Sequence, residues 1–268
     1  MSQFAPEHAL HGMPRIDIRS IGLGYGTRRV LNGVDMSVRR GELVAVLGPS
    51  GSGKSTLLRI VAGLLKPDAG SVMIDGQALA GPRPDIALAF QDPCLLPWLS
   101  VEKNVAFGLG FKRQPLLSRS ARRERVTAAL DEVGLAHARH LAPSQLSGGM
   151  AQRAALARCL ARQPNSLLLD EPFGALDEVT RADMQRLLVK VVRDTQAATL
   201  LVTHDIDEAL LVSDRVVVLG NQGALILELP VRVPAPREAQ VQALGALRVQ
   251  ILEALQDSMS RAPRPVHA

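Results

Sequence analysis

The sharpest chemical signal in the chain is the run Gly48, Pro49, Ser50, Gly51, Ser52, Gly53, Lys54, Ser55 and Thr56, which satisfies the spacing G-x-x-x-x-G-K-[ST]. Glycines at those positions let backbone amides close around phosphate oxygens, and the N-terminus of a following helix adds partial positive charge. Lys54 is then placed to reach the β and γ phosphates of a nucleotide, and Ser55 to ligate Mg²⁺. Further along, the apolar run 166–169 ends in two adjacent carboxylates, Asp170 and Glu171. Ligands of a parallel sheet sit beyond the carboxyl ends of its strands, so both carboxylates can face the nucleotide. Asp170 suits the magnesium, and Glu171, one residue on, suits a general base that polarises an attacking water.

These residues need a scaffold that the surrounding pattern supplies. A buried strand at 42–47 leads into the glycine-rich loop, and Leu57, Leu58, Ile60, Val61 and Leu64 follow helical spacing over 54–65. Short β-rich runs separated by glycine turns over 15–47 predict a small antiparallel sheet, and strands return at 71–74 and 86–90. Residues 101–162 read as mostly helical, with helices at 118–133 and 147–162, and form a separate lobe within a helical insert at about 92–162. Alternation then resumes: strand 166–169, helix 178–195, strand 199–203, helix 205–211, and strands at 215–219 and 224–229. Strands alternating with helices imply an α/β fold with a mainly parallel core. Residues 1–14 read as a flexible arm and 15–230 as the main domain. The segment 231–268 reads as a proline-rich linker followed by an amphipathic helix with Val241, Leu244, Leu247, Ile251, Leu252 and Leu255 on one stripe. That stripe either docks on the core or receives a partner.

Composition narrows the class. With 268 residues, 47% apolar and 21% charged, the chain is globular and an intrinsically disordered chain is excluded. No apolar run approaches the roughly 18 residues that span a bilayer, and the first residues lack the basic start and apolar stretch of a secretory signal, so a cytoplasmic location is expected. Two isolated cysteines, Cys94 and Cys159, make neither a disulfide scaffold nor a zinc site and read as structural. A net charge of +5 permits acidic partners, but 3% aromatic residues argue against base-stacking platforms for single-stranded nucleic acid. The cluster Arg119, Arg122, Arg123 and Arg125 reads as a solvated helix face.

Between the two phosphate-site motifs stands Leu146-Ser147-Gly148-Gly149-Met150 at the head of an arginine-rich helix. Alone it is an ordinary serine-capped helix start. With the flanking motifs, the stretch from about 15 to 230 resembles an ATP-binding-cassette (ABC) ATPase, whose signature sequence is LSGGQ. The resemblance implies a P-loop nucleotide-binding fold with an N-terminal antiparallel β-subdomain and an inserted α-helical subdomain. It implies that Tyr25 stacks on adenine and that Gln91 contacts ATP and Mg²⁺ and senses a transmembrane partner. It also makes Asp177 part of the D-loop and His204 the switch histidine at the γ-phosphate, catalytic together with Glu171 and Lys54. Ser147, Gly148, Gly149 and Met150 are expected to complete the ATP site of a second cassette, so that one copy binds ATP, hydrolyses it poorly, and works as a head-to-tail pair.

Two departures, Met150 for the usual signature glutamine and Gly174 for the usual D-loop serine, narrow the resemblance. With FQDPCLLPWLSVEKNVAFGL they are similar to the importer ATPases for nitrate, taurine and aliphatic sulfonates; losing the glutamine implies weaker contacts near the ribose. The resemblance therefore implies a Mg²⁺-dependent ATPase on the cytoplasmic face of the inner membrane. Its expected partners are a second, identical ATPase subunit, two transmembrane permease subunits and an extracytoplasmic substrate-binding protein, with no nucleic acid. Sulfonate or taurine leads as cargo, with nitrate or another small solute as the alternative. The segment 94–99, with Trp98, reads either as a groove for a permease helix or as packing between lobe and core. A soluble cassette ATPase without a transport role is the rival; it is encouraged only by the basic charge.

Overall fold

The computed structural model describes residues 13–260, so the arm assigned to 1–14 lies almost wholly outside the described residues. A four-stranded antiparallel sheet comes first, formed by β1 (Ile16–Tyr25), β2 (Arg28–Val38), β4 (Ala69–Ile74) and β5 (Gln77–Ala78) in the order β2-β1-β4-β5. The second sheet holds β3 (Leu43–Leu47), β6 (Ile86–Ala89), β7 (Ser166–Asp170), β8 (Ala198–Val202), β9 (Arg215–Leu219) and β10 (Leu225–Pro230) in the order β10-β9-β3-β8-β7-β6. All its pairings are parallel except that of β10 with β9. Both β3 and β8 are buried at every residue, which is why neither shows the polar–apolar alternation of a half-exposed strand.

Helix α1 (Lys54–Val61) follows β3 through the glycine-rich loop. It ends short of the predicted residue 65 because the amides of Gly63 and Leu64 fold back onto the carbonyls of Ile60 and Arg59, both at 2.9 Å, closing the last turn. The insert contains α2 (Val101–Ala106), α3 (Arg119–Glu132) and α4 (Gly148–Leu160), with no helix across 107–118. Its core is continuous with that of the parallel sheet. Val126, Leu130 and Leu156 share one hydrophobic cluster with Leu167, Leu169 and Leu201 of the parallel sheet. The reason lies in α4, which buries Ala154, Ala155, Leu156, Ala157 and Cys159 in succession and so packs against lobe and sheet at once. Cys159 is fully enclosed, and burial pushes its thiol up to about 11, consistent with a structural role.

Helix α5 (Glu178–Thr195) follows β7, and α6 (Ile206–Val212) follows β8. After β10 the chain crosses 231–240 to α7 (Val241–Ser260). The apolar stripe of α7 is docked: Ile251 is fully buried, with Leu244, Leu247 and Leu255 packed in the cluster that holds Ile206 and Leu210 of α6. Arg248 pairs with Asp207 at 3.1 Å, and Asn221 fastens the far end through Ser258 at 3.1 and 3.0 Å.

A buried arginine joins the two sheets. Arg15 is fully enclosed and donates to Asp75, to Asp85 at 2.7 Å and to Ser166 at the start of β7 at 2.9 Å. Burial alone would raise the Asp85 carboxyl, but hydrogen bonds and charge from Arg83 and Arg15 hold it down to about 2. Among the described residues no helix is long and apolar enough to cross a membrane.

Candidate functional site

The loop between β3 and α1 lies at the carboxyl edge of the parallel sheet, where it forms one side of a cavity of about 810 Å³. Gly48, Pro49, Ser50, Gly51, Gly53, Lys54, Ser55 and Thr56 all line it, joined by Tyr25, Glu171 and His204. Gly53 is obligatory by two criteria: its φ is +91°, and a β-carbon there would stand 2.6 Å from the Val30 carbonyl oxygen. Ser52 lies within the loop, and its hydroxyl is buried with no hydrogen-bond partner, a polar group left over there.

Lys54 is only 7% exposed and donates to the carbonyls of Gly48 at 2.7 Å and Pro49 at 3.0 Å, so its ammonium is held at the mouth of the loop. Burial lowers its pKa, and the carboxylates of Glu171 and Asp170 act in the opposite sense. Ser55 donates to Asp170 Oδ1 at 2.9 Å. Burial raises the Asp170 carboxyl and the Ser55 hydrogen bond opposes that rise. A hydroxyl and a carboxylate held this close are the hard oxygen donors that Mg²⁺ takes together with phosphate, so the residues present fit that ion.

Glu171 leaves β7 with φ at +46°, a left-handed conformation unusual outside glycine, and its amide donates to Val202 O at 2.9 Å. Its carboxylate Oε2 stands 3.3 Å from His204 Nδ1. The histidine is positioned by its neighbours. Thr203 donates to the buried Glu208 at 2.7 Å, and Asp205 caps α6 by accepting from the amides of Asp207 and Glu208. A carboxylate and an imidazole thus face the same cavity as the glycine-rich loop.

The other expected residues lie elsewhere. Ser147 caps α4 by accepting from the Met150 amide at 3.3 Å, and Ser147 and Gly148 are exposed. No signature residue lines the cavity among the described residues. Gly149 packs so closely on α5 that a β-carbon would lie 2.3 Å from Thr180 Cγ2, and Met150 packs against the helical core. Asp177 caps α5, accepting from the Thr180 amide at 3.1 Å, which holds its carboxyl below the usual range. Gln91 is exposed and absent from the cavity wall; its side-chain amide lies near Gly174, beside the Glu171 carboxylate.

Sequence reasoning missed five wall residues, Arg28, Val30, Leu47, Ile206 and Leu255. Only Arg28 left a trace: a two-residue glycine turn after Tyr25 places it across the hairpin from that tyrosine. It also missed Gln152 of α4, which donates to the carbonyls of Gln91 at 2.9 Å and Pro172 at 3.1 Å and so ties the signature helix to both loops. A second cavity of about 500 Å³ opens beside Gln91, lined by Phe90, Cys94, Phe107, Phe111 and Arg158. Trp98 is 75% exposed, while Leu95 packs into the core as the packing reading of the segment 94–99 expects.

Comparison with known proteins agrees with this geometry. A family model described as "ABC transporter" matches residues 31–174. The chain is 48% identical over 250 residues to the aliphatic sulfonates import ATP-binding protein SsuB 2 of Burkholderia cenocepacia, covering 93% of this chain and 90% of that protein. It is 45% identical over 228 residues to the nitrate import ATP-binding protein NrtD of Synechococcus elongatus, covering 83% of each. Among solved structures, the ATP-binding cassette MJ0796, in a dimeric post-hydrolysis state bound to ADP and Pi, superposes with a TM-score of 0.72 at 33% identity, covering 82% of this chain and all of that one.

Proposed function

The chain belongs to the ABC transporter ATPase family, and from that premise we propose that it is the Mg²⁺-dependent ATP-hydrolysing subunit of an importer for aliphatic sulfonates or taurine. The observation that supports this most is the convergence of the phosphate loop, Glu171 and His204 on one cavity in a chain so similar to a sulfonate import protein. Nitrate is the alternative cargo, favoured by the similarity to NrtD.

In this reading ATP lies with its base near Tyr25 and its phosphates in the cradle of Gly51 to Thr56, where Lys54 exchanges loop carbonyls for phosphate oxygens. Ser55 and Asp170 would hold Mg²⁺, which would supply charge neutralisation to the phosphate chain. Glu171 orients and polarises the attacking water, and His204, held at its carboxylate, contacts the γ-phosphate. The signature residues serve a second copy, since they lie away from their own cavity and Ser147 and Gly148 are exposed. Two chains then enclose two ATP molecules head to tail, and closure and reopening of the pair drive the permease. The cavity beside Gln91, with Phe107 and Phe111 in its wall, is where a permease helix docks on the cytoplasmic face of the inner membrane.

Deletion of the gene, with growth scored on alkanesulfonates or taurine as sole sulfur source and on nitrate as sole nitrogen source, tests the cargo. Selective loss of sulfonate use is expected. Loss on nitrate alone would replace the cargo and leave the ATPase in place.

A further inference from the structure

We infer that Arg28 is a ligand of the nucleotide's phosphate chain, forming with Tyr25 a two-pronged clamp at the tip of the β1–β2 hairpin; this rests on the nucleotide site proposed above. Tyr25 and Arg28 are register partners across the turn Gly26-Thr27, so the two side chains share one face of the ribbon. Both line the 810 Å³ cavity. Tyr25 is 61% exposed, which leaves its ring free to meet a base. The arginine reaches further: its Nη2 stands 3.3 Å from the point that a β-carbon on Gly51 would occupy, at the apex of the phosphate loop.

Charge supports the same assignment. Several arginines of this fold are neutralised, among them Arg15 by Asp75 and Asp85, Arg139 by Glu102, and Arg215 by Glu42 and Glu228. Arg28 has no carboxylate within ion-pair distance among the described residues, although it overhangs a loop whose amides and lysine already favour an anion. A guanidinium presents a planar fork of donors that matches phosphate oxygens and stays charged at any working pH. Stacking on the base is the other chemistry open to it, but its reach is toward Gly51 and the phosphates.

The test is titration of the full-length chain with ATP and with adenosine at fixed ionic strength, for the wild type, Arg28→Ala, Arg28→Lys and Tyr25→Ala. Arg28→Ala is expected to weaken ATP about tenfold and leave adenosine unchanged, while Arg28→Lys recovers part of the loss because charge survives but the fork does not. Tyr25→Ala is expected to weaken both ligands. Unchanged ATP affinity in Arg28→Ala overturns the inference, as does an equal loss for adenosine, which would make the contact one to the base. A wild type that binds no ATP would overturn the nucleotide site itself and the inference with it. Because Arg28 is exposed, an unaltered melting temperature is expected and separates lost binding from lost folding.

Discussion

Replacing Gln152 with methionine should loosen the catalytic loops without emptying the nucleotide cavity. The glutamine is 5% exposed, and its amide spends both hydrogens on backbone carbonyls, Gln91 O at 2.9 Å and Pro172 O at 3.1 Å. Methionine preserves length and volume but donates nothing, leaving two acceptors to find water. A buried polar group that loses its partner costs about 1–3 kcal/mol, and carbonyls tolerate this better than amides, so the pair is worth about 2–3 kcal/mol. For a domain of this size that corresponds to a fall of roughly 4–12 °C in melting temperature. Pro172 follows Glu171 directly and neither Gln91 nor Pro172 lines the cavity, so kcat should fall about tenfold while KM for ATP stays within about twofold. A Gln152→Glu variant should be worse at neutral pH, since a carboxylate would oppose two carbonyl oxygens, and should recover partly as acid protonates it. Calorimetry and steady-state ATPase assays read both effects. A melting temperature within about 1 °C of wild type together with unchanged kcat would refute the bridge.

Acid stability reports on the joint between the sheets. Asp85 is held at about 2 against an ordinary 3.8, so its contribution is complete above about pH 4 and is lost as pH falls through 2. Asp85→Asn should therefore remove about 2 kcal/mol at neutral pH and flatten the pH dependence of urea unfolding between about pH 4 and 2; an unchanged acid limb would contradict the assignment. Ile251→Ala should cost about 2–5 kcal/mol in the same assay, because α7 is part of the core at that residue. A cost below about 1 kcal/mol would return α7 to the status of an appendage.

Much of the fold was legible because the parallel strands are apolar on both faces and the chemistry falls at their carboxyl ends. The run 166–169 and the carboxylates after it lie where the pattern put them, and so does the phosphate loop between β3 and α1. What escaped depends on pairings between distant residues. Arg15 reads only as the start of a short β-rich run, yet its partners at 75, 85 and 166 make it a buried pin. Gln152 reads as one polar residue on a helix and becomes a bridge only when two loops arrive beside it. Leu255 reaches the cavity wall only because α7 folds back on α6. Gln91 was placed at the nucleotide by the resemblance alone; its side-chain amide lies near Gly174, as does the carboxylate of Glu171, which lines the cavity.

The composite site is the central claim, since the signature residues that complete the family's chemistry do not line their own cavity. Glu171→Gln keeps the shape of the site and removes the carboxylate that the proposed function assigns to activating water. In the presence of ATP and Mg²⁺, light scattering on the eluting protein should then show twice the mass of one chain, with one ATP retained per subunit. A Glu171→Gln variant that binds ATP and remains a monomer would contradict the composite site.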